Sequence, residues 1–323
     1  MLNNVFSSNF KNKIEDFIEQ KNACGFPYND SQRSLKEFDR FCRDHYPQDT
    51  KLTREMVMHW AERRPQEHLK TLSNRIVPIR QLAKYLNRIG CEAYIIPPGI
   101  PGKMVRYVPH IFTKQELQVF FATADQYSYK AVSPVRHLVV PVIFRVLYCC
   151  GLRSSEATGL KVVDVDLHTG RILIRKAKGN KDRTVMLSQD VLSLCRIYHE
   201  KIKLVFPDRV YFFPNHRGNQ YGNGFLNSTF HQLWDKAGIS CISGNLPRVH
   251  DFRHAFAVKR LNLWVEEGKD LQAYLPYLSM YLGHAGLSET DYYLHLVPEF
   301  FPVMTAKAEE QFAHLIPEPY DEV

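Results

Sequence analysis

The stretch RILIRKAKGNKDRTVMLS, residues 171–188, decides what kind of fold this chain forms. Ile172 and Ile174 alternate with Leu173 and Arg175, Gly179 and Asn180 supply a turn, and Thr184, Val185, Met186 and Leu187 resume the extended pattern. Alternation on both sides of a Gly/Asn turn predicts a β-hairpin. Nearly everything around it has helical periodicity. The expected fold class is therefore mainly α with a small β-sheet: a helical N-terminal domain followed by a mixed α/β domain that holds the hairpin. The hairpin also carries six basic residues and one acidic residue between positions 171 and 183.

Working upstream, Gly151 closes an apolar helix expected from about Arg136 to Cys150, and FTKQELQVFFATA opens another, with Thr113 as cap and Glu116 completing a capping box. Before them lies IIPPGIPGKMVRYVP, whose proline and glycine content marks a linker. The expected domains are 1–95, helical; 96–109, linker; and 110–323, the mixed unit. Within the first, Leu35, Phe38, Phe41 and Cys42 form one apolar stripe, Thr53 caps a helix bearing Met56, Val57 and Trp60, and Ile76, Ile79, Leu82, Ala83 and Leu86 form a third stripe that Gly90 stops. Pro78 predicts a kink there, or a helix that starts closer to it. The other faces of that helix hold Arg75, Arg80, Lys84 and Arg88, either a solvated face or a set of phosphate contacts. Downstream of the hairpin the pattern is helical again from Asn227.

Composition narrows the function classes. With 323 residues, two domains can each bury a core. The net charge of +8 is unevenly spread: +6 over residues 1–107, +7 over 108–298 and −5 over the last 25. Two basic blocks favour a polyanionic partner, and an acidic tail suits contact with protein better than with phosphate. The seven cysteines have neither metal-ribbon spacing nor an even disulfide framework, so reduced thiols in a cytoplasmic protein are expected. The longest apolar run, Leu138 to Phe144, is too short to span a bilayer, and the first residues lack the apolar core of a secretion signal.

Several side chains could carry chemistry, and each has a plainer reading. Arg153 and Glu156 in GLRSSEATGL could be a local ion pair. Lys178 in the hairpin turn could be a solvated charge. His250 and Arg253, one helical turn apart in HDFRHAF, could be a cap and a surface arginine, while Phe252 and Phe256 point elsewhere. His284 in LGH could end a helix. Tyr292 and Tyr293 could both be packed aromatics. Together they match what a phosphodiester demands. Its anionic oxygens repel a nucleophile, and two arginines with histidines would neutralise the charge that grows at the transition state. The leaving 5′-oxygen needs a proton, which a lysine can supply, and Arg175, Lys176, Lys181 and Arg183 would lower that lysine's pKa. A tyrosine can attack and hold the phosphate covalently.

The ordered set GLRSSE, KGNKDR, HDFRH, LGH and DYY resembles the tyrosine recombinases, the family of phage integrases, Xer-type recombinases and Cre. No single motif is specific, but their order and spacing over residues 140–296 are. The resemblance implies a C-clamp in which a helical, SAM-like core-binding domain and a catalytic domain grip duplex DNA. It implies Arg153 and Arg253 on the phosphate, Glu156 supporting them, Lys178 protonating the leaving oxygen, and His250 and His284 as acid/base and hydrogen-bonding groups. Tyr293, nine residues after His284, is the implied nucleophile, with Tyr292 packed beside it. Arg75, Arg80, Lys84 and Arg88 would contact DNA from the first domain, and Arg175, Lys176, Lys181 and Arg183 from the hairpin. Ala177 departs from the glycine common before the lysine. Ser288 is expected to cap the short helix that carries the tyrosines, with Asp291 at its third position. The family also implies no metal or other cofactor, no ATP, no membrane, and a homotetramer on two DNA sites. The spacing of Met304, Ala308, Phe312 and Leu315 predicts a C-terminal helix, and the acidic character of its segment motivates the expectation that it docks on a neighbouring protomer. With little chain ahead of the helical domain, the arm-site-binding domain of many phage integrases is expected to be absent.

Overall fold

The computed structural model describes residues 6–26, 28–103, 107–175, 182–240 and 246–296. The chain divides into two compact units, one ending at Tyr107 and the other beginning at Val108. No helix among the described residues is long and apolar enough to cross a membrane.

The first unit packs α1 (Lys11–Ala23), α2 (Asn29–His45) and α3 (Arg54–Ala61) against α4 (Leu69–Arg88). Leu35, Phe38 and Cys42 of α2 are fully buried and meet Ile76, Ile79 and Leu82 of α4 in one core, as the apolar stripes predict. Thr53 caps α3 by accepting from the Met56 amide. Pro78 does not start α4: the helix runs straight through it from Leu69. Proline removes one intrahelical hydrogen bond, but buried Leu72 and Ile76 on one side of it and Ile79 and Leu82 on the other hold both halves to the core.

Two of the four cations assigned to a DNA-facing surface of α4 do something else. Arg75 is 5% exposed. Its guanidinium donates from Nε and Nη2 to Glu67 at 3.1 and 3.0 Å, to the carbonyls of Trp60 and Glu62, and lies 4.8 Å from the Trp60 ring centroid. It is a buried staple between α4 and the loop after α3. Arg80 donates to the carbonyls of Ile96, Pro97 and Ile100 at 2.9, 2.8 and 2.7 Å, so it anchors the chain that leaves the unit. A proline-rich segment cannot satisfy its carbonyls with its own N–H groups, and a five-donor guanidinium does so. Lys84 and Arg88 remain exposed.

The second unit begins with α5 (Lys114–Asp125), whose Thr113–Glu116 capping box forms as predicted, and α6 (Arg136–Cys150), which ends at Gly151. After α7 (Ser154–Thr158) come β1 (Val165–Asp166), β2 (Arg171–Ile174) and β3 (Arg183–Met186), an antiparallel sheet in the order β1-β2-β3. Ile172 pairs with Val185 and Ile174 with Arg183, and both isoleucines point into the core. The turn residues, including Lys176, Lys178 and Lys181, lie outside the described residues. Next are α8 (Gln189–Lys203), α9 (Phe225–Lys236), α10 (Asp251–Glu266), α11 (Leu271–Leu282) and α12 (Ser288–Asp291), then a 3₁₀ turn, Tyr292–Leu296. α10 is the hub. Its Phe252 is 1% exposed among Phe112, Phe120, Phe144 and Phe230, while its Val258 and Leu261 pack with Leu275, Leu278 and Leu282 of α11.

Arg75→Ala tests the reassignment of that residue. It leaves the Glu67 carboxylate buried without its partner, so urea unfolding should show a loss of about 3–5 kcal/mol. Lys84→Ala should change stability by less than about 0.5 kcal/mol. Equal, small effects would return Arg75 to the surface.

Candidate active site

Residues far apart in sequence converge where the ends of α6 and α11 meet the start of α10. Arg253, 1% exposed, donates from Nη1 to the Gly151 carbonyl at 2.8 Å and from Nη2 to the Leu282 carbonyl. Arg153, just ahead of α7, donates from Nη2 to the Gly283 carbonyl at 2.7 Å and from Nη1 to Glu156 Oε1 at 2.9 Å. Arg183, at the start of β3, donates from Nε to the Tyr281 carbonyl at 2.7 Å and pairs through both Nη atoms with Glu156 at 2.8 and 2.7 Å. Three successive carbonyls at the end of α11 thus each accept from a different arginine. A helix C-terminus exposes such carbonyls and carries a partial negative charge, so it is a natural seat for guanidinium groups.

Two glycines make the approach possible. Gly151 and Gly283 both end helices in the left-handed region, with φ of 60° and 67°. A Cβ on Gly151 would lie 2.7 Å from the Phe256 ring, and one on Gly283 would lie 3.1 Å from Arg183. Both the backbone conformation and the close approach require glycine.

Glu156 sits between the Arg153 and Arg183 cations with its side chain 7% exposed. Burial alone would raise its carboxyl pKa, but the two guanidiniums and the Arg153 amide override that and hold it at about 2. Arg183 had been expected to reach DNA. With its side chain 8% exposed and its donors engaged, it instead ties the hairpin to α7 and α11. Arg175 stays half-exposed, paired with Asp164 at 2.6 Å.

Of the two tyrosines, Tyr293 enters this cluster. It is 2% exposed, and its oxygen stands 3.1 Å from His254 Nδ1, within the field of the Arg253 and Arg153 charges. Tyr292 is half-buried against the apolar cluster of α10 and α11. Burial raises the Tyr293 pKa, and the Arg253 and Arg153 charges pull the other way. His284 stacks on the Tyr293 ring, centroids 6.1 Å apart, and its Nδ1 is 2.7 Å from the Thr290 hydroxyl. His250 stands exposed at the rim, 4.8 Å from the His254 ring. Desolvation by its surroundings and the charges of Arg253, Arg248 and Arg153 lower its pKa to about 4.

Five of the six residues expected to be catalytic are therefore neighbours, and the sixth, Lys178, lies outside the described residues. Ser288 does not cap α12: Leu287 occupies that position, and the tyrosines fall in the 3₁₀ turn after the helix rather than within it. His254 was missed. It follows Arg253 directly and lies one helical turn after His250, a visible signal that was spent on the first histidine alone. Among the described residues no group of three or more His, Cys, Asp and Glu side chains is arranged to hold a metal ion.

Residues 110–299 match the model of the phage integrase family. The chain belongs to that family of tyrosine recombinases. This family member is 31% identical over 250 residues to the tyrosine recombinase XerC of Lactobacillus leichmannii, covering 75% of this chain and 76% of that protein. It is 28% identical over 315 residues to a putative integrase/recombinase of Sinorhizobium fredii, covering 94% of this chain and 98% of the other. The fold of this integrase relative is also that of the Tn1549 transposon integrase solved in complex with transposon right end DNA, with a TM-score of 0.63 and 16% identity over 92% of this chain and 98% of that one.

The Glu156 bridge has a pH consequence. A carboxyl held near 2 in the folded chain against an ordinary 4.5 stabilises the fold fully above about pH 4.5. That contribution is lost as pH falls from 4.5 towards 2. The stability difference between wild type and Glu156→Gln should therefore be largest near neutral pH, on the order of 3 kcal/mol, and vanish by about pH 2 in urea titrations. A difference independent of pH would show that the bridge does not set this carboxyl.

Proposed function

We propose that this tyrosine recombinase cuts and rejoins duplex DNA at specific sites through a 3′-phosphotyrosine link, with Tyr293 as nucleophile. The observation that carries the reading is the buried Tyr293 phenol beside His254, next to the helix end whose carbonyls seat Arg153 and Arg253. A scissile phosphate seated on Arg153 and Arg253 would meet charge-assisted donors where negative charge grows as the phosphorus becomes five-coordinate. Loss of one such donor costs about 3 kcal/mol, or 10²–10³ in rate. Tyr293 attacks phosphorus, the bond to the 5′-oxygen breaks, and Lys178 gives that oxygen its proton. His250 and His284 supply hydrogen bonds to the phosphate. A 5′-hydroxyl of a second strand then reverses the step. The ester energy stays in the enzyme–DNA bond, so the reaction needs no external energy source.

Residues 1–95 would hold the DNA beside the site, with Lys84 and Arg88 as their phosphate contacts, and Arg175, Lys176 and Lys181 would extend that contact from the hairpin. Two duplexes require four protomers. In this reading the segment 304–316, which lies outside the described residues, docks on the neighbouring protomer and couples the four sites. Phenol burial adds a condition: at 2% exposure, Tyr293 must be uncovered before it can reach phosphorus.

A nicked suicide duplex tests the chemistry by trapping the covalent complex. Tyr293→Phe should abolish the trap and Tyr292→Phe should leave it. The reverse pattern would move the nucleophile by one residue. Truncation after Pro302 should leave binding to a single DNA site intact and weaken the synapse of two sites in sedimentation or gel-shift experiments. Unchanged cooperative synapsis would remove the docking role.

A further inference from the structure

We infer that His254 is a catalytic residue of this enzyme, the group that receives the proton of Tyr293 when the phenol attacks. The inference rests on the reading of Tyr293 as nucleophile and adds a partner to it. It starts from a hydrogen-bond count at one oxygen. Among the described residues, His254 Nδ1 is the one hydrogen-bond partner within reach of the Tyr293 oxygen. The phenol's own proton then needs an acceptor, because the group is 2% exposed and a buried hydroxyl without one is costly. His254 Nδ1, 3.1 Å away, is placed to take it. The bond thus runs from Tyr293 to His254, and the neutral imidazole carries its hydrogen on Nε2.

The surroundings keep His254 in that accepting form. Desolvation, followed by the charges of His250, Arg248, Arg253 and His284, lowers its pKa to about 3. Glu289 and Arg153 also face the phenol. In the proposed reading Arg153 and Arg253 also face the phosphate. A phosphodiester in the pocket partly neutralises them and so makes His254 more basic at the moment a base is needed. In the step itself the Tyr293 oxygen forms its bond to phosphorus as its proton passes to His254 Nδ1. The bond to the 5′-oxygen breaks, and that oxygen takes a separate proton from Lys178. On religation the imidazolium returns its proton to the departing phenolate. The arrangement has the logic of a hydroxyl nucleophile activated by an adjacent imidazole. His250 lacks this geometry, because what reaches the phenol from that side is His254, one turn further along α10.

Single-turnover trapping on nicked duplexes tests it, using one substrate with an ordinary scissile phosphate and one with a 5′-bridging phosphorothiolate. The thiolate leaves without a proton, so it rescues defects at the leaving group and not at the nucleophile. His254→Phe should slow trapping about 10²-fold or more on both substrates, with DNA affinity unchanged in gel-shift titration. His254→Asn, which can accept the phenol's hydrogen bond but cannot take its proton, should fall between wild type and His254→Phe on both substrates. Lys178→Ala should be slow on the ordinary phosphate and rescued by sulfur. Rescue of either His254 variant by sulfur would place the residue at the leaving group and overturn the inference. So would wild-type rates, or a loss of DNA binding as large as the loss of trapping. Trapping by Tyr293→Phe would instead remove the underlying reading and leave a different pattern.

Discussion

The end of α11 is the constraint on which the rest of the site depends. A helix leaves its last carbonyls without intrahelical donors, and in a buried setting each must be satisfied. Here the accounting closes. The Gly283 and His284 amides turn back to the carbonyls of Met280 and Ser279, both at 3.0 Å, the pattern of a helix closed by a left-handed glycine. The next three carbonyls, of Tyr281, Leu282 and Gly283, take Arg183, Arg253 and Arg153. A single backbone feature therefore fixes three guanidinium groups that arrive from β3, α10 and the start of α7. Any shift of that helix end displaces all three together.

The charge balance follows from the same geometry. Three buried or half-buried guanidiniums share one carboxylate, Glu156, and that carboxylate is committed to Arg153 and Arg183. Arg253 is left with carbonyl oxygens, and its pKa is lowered to about 10 by burial first and by the Arg153 charge second. Burying cations without full counter-charge opposes folding. The backbone dipoles at the ends of α6 and α11 offset part of that cost, and an incoming phosphate would offset more. A pocket of this kind is preorganised for an anion, because its donors are oriented before the ligand arrives.

How far this was readable in the sequence depended on whether a residue's role was local. The hairpin, the Thr53 and Thr113 caps and the glycine stops at Gly90 and Gly151 are set by a few neighbouring residues, and they form where the pattern places them. Arg153, Arg253, His284 and Tyr293 were visible through the order of their motifs, although the contacts that join them span up to 130 positions. What the sequence did not reveal was which cations point inward. Arg75, Arg80 and Arg183 look like surface charges until Glu67, the linker carbonyls and Glu156 are seen beside them, and periodicity carries no information about such partners. Pro78 likewise reads as a kink or a nearby helix start, because the packing that carries α4 through it comes from other helices.

The buried phenol links the geometry to control of the reaction. In the free chain Tyr293 is covered and its pKa is raised by burial. Both lower its reactivity towards water or stray electrophiles. In the proposed reading, a phosphate that draws on the Arg153 and Arg253 charges also makes His254 more basic as it brings the electrophile to the phenol. Binding the substrate and activating the nucleophile would then be parts of one change, which would tie strand cleavage to correctly seated DNA without a separate switch.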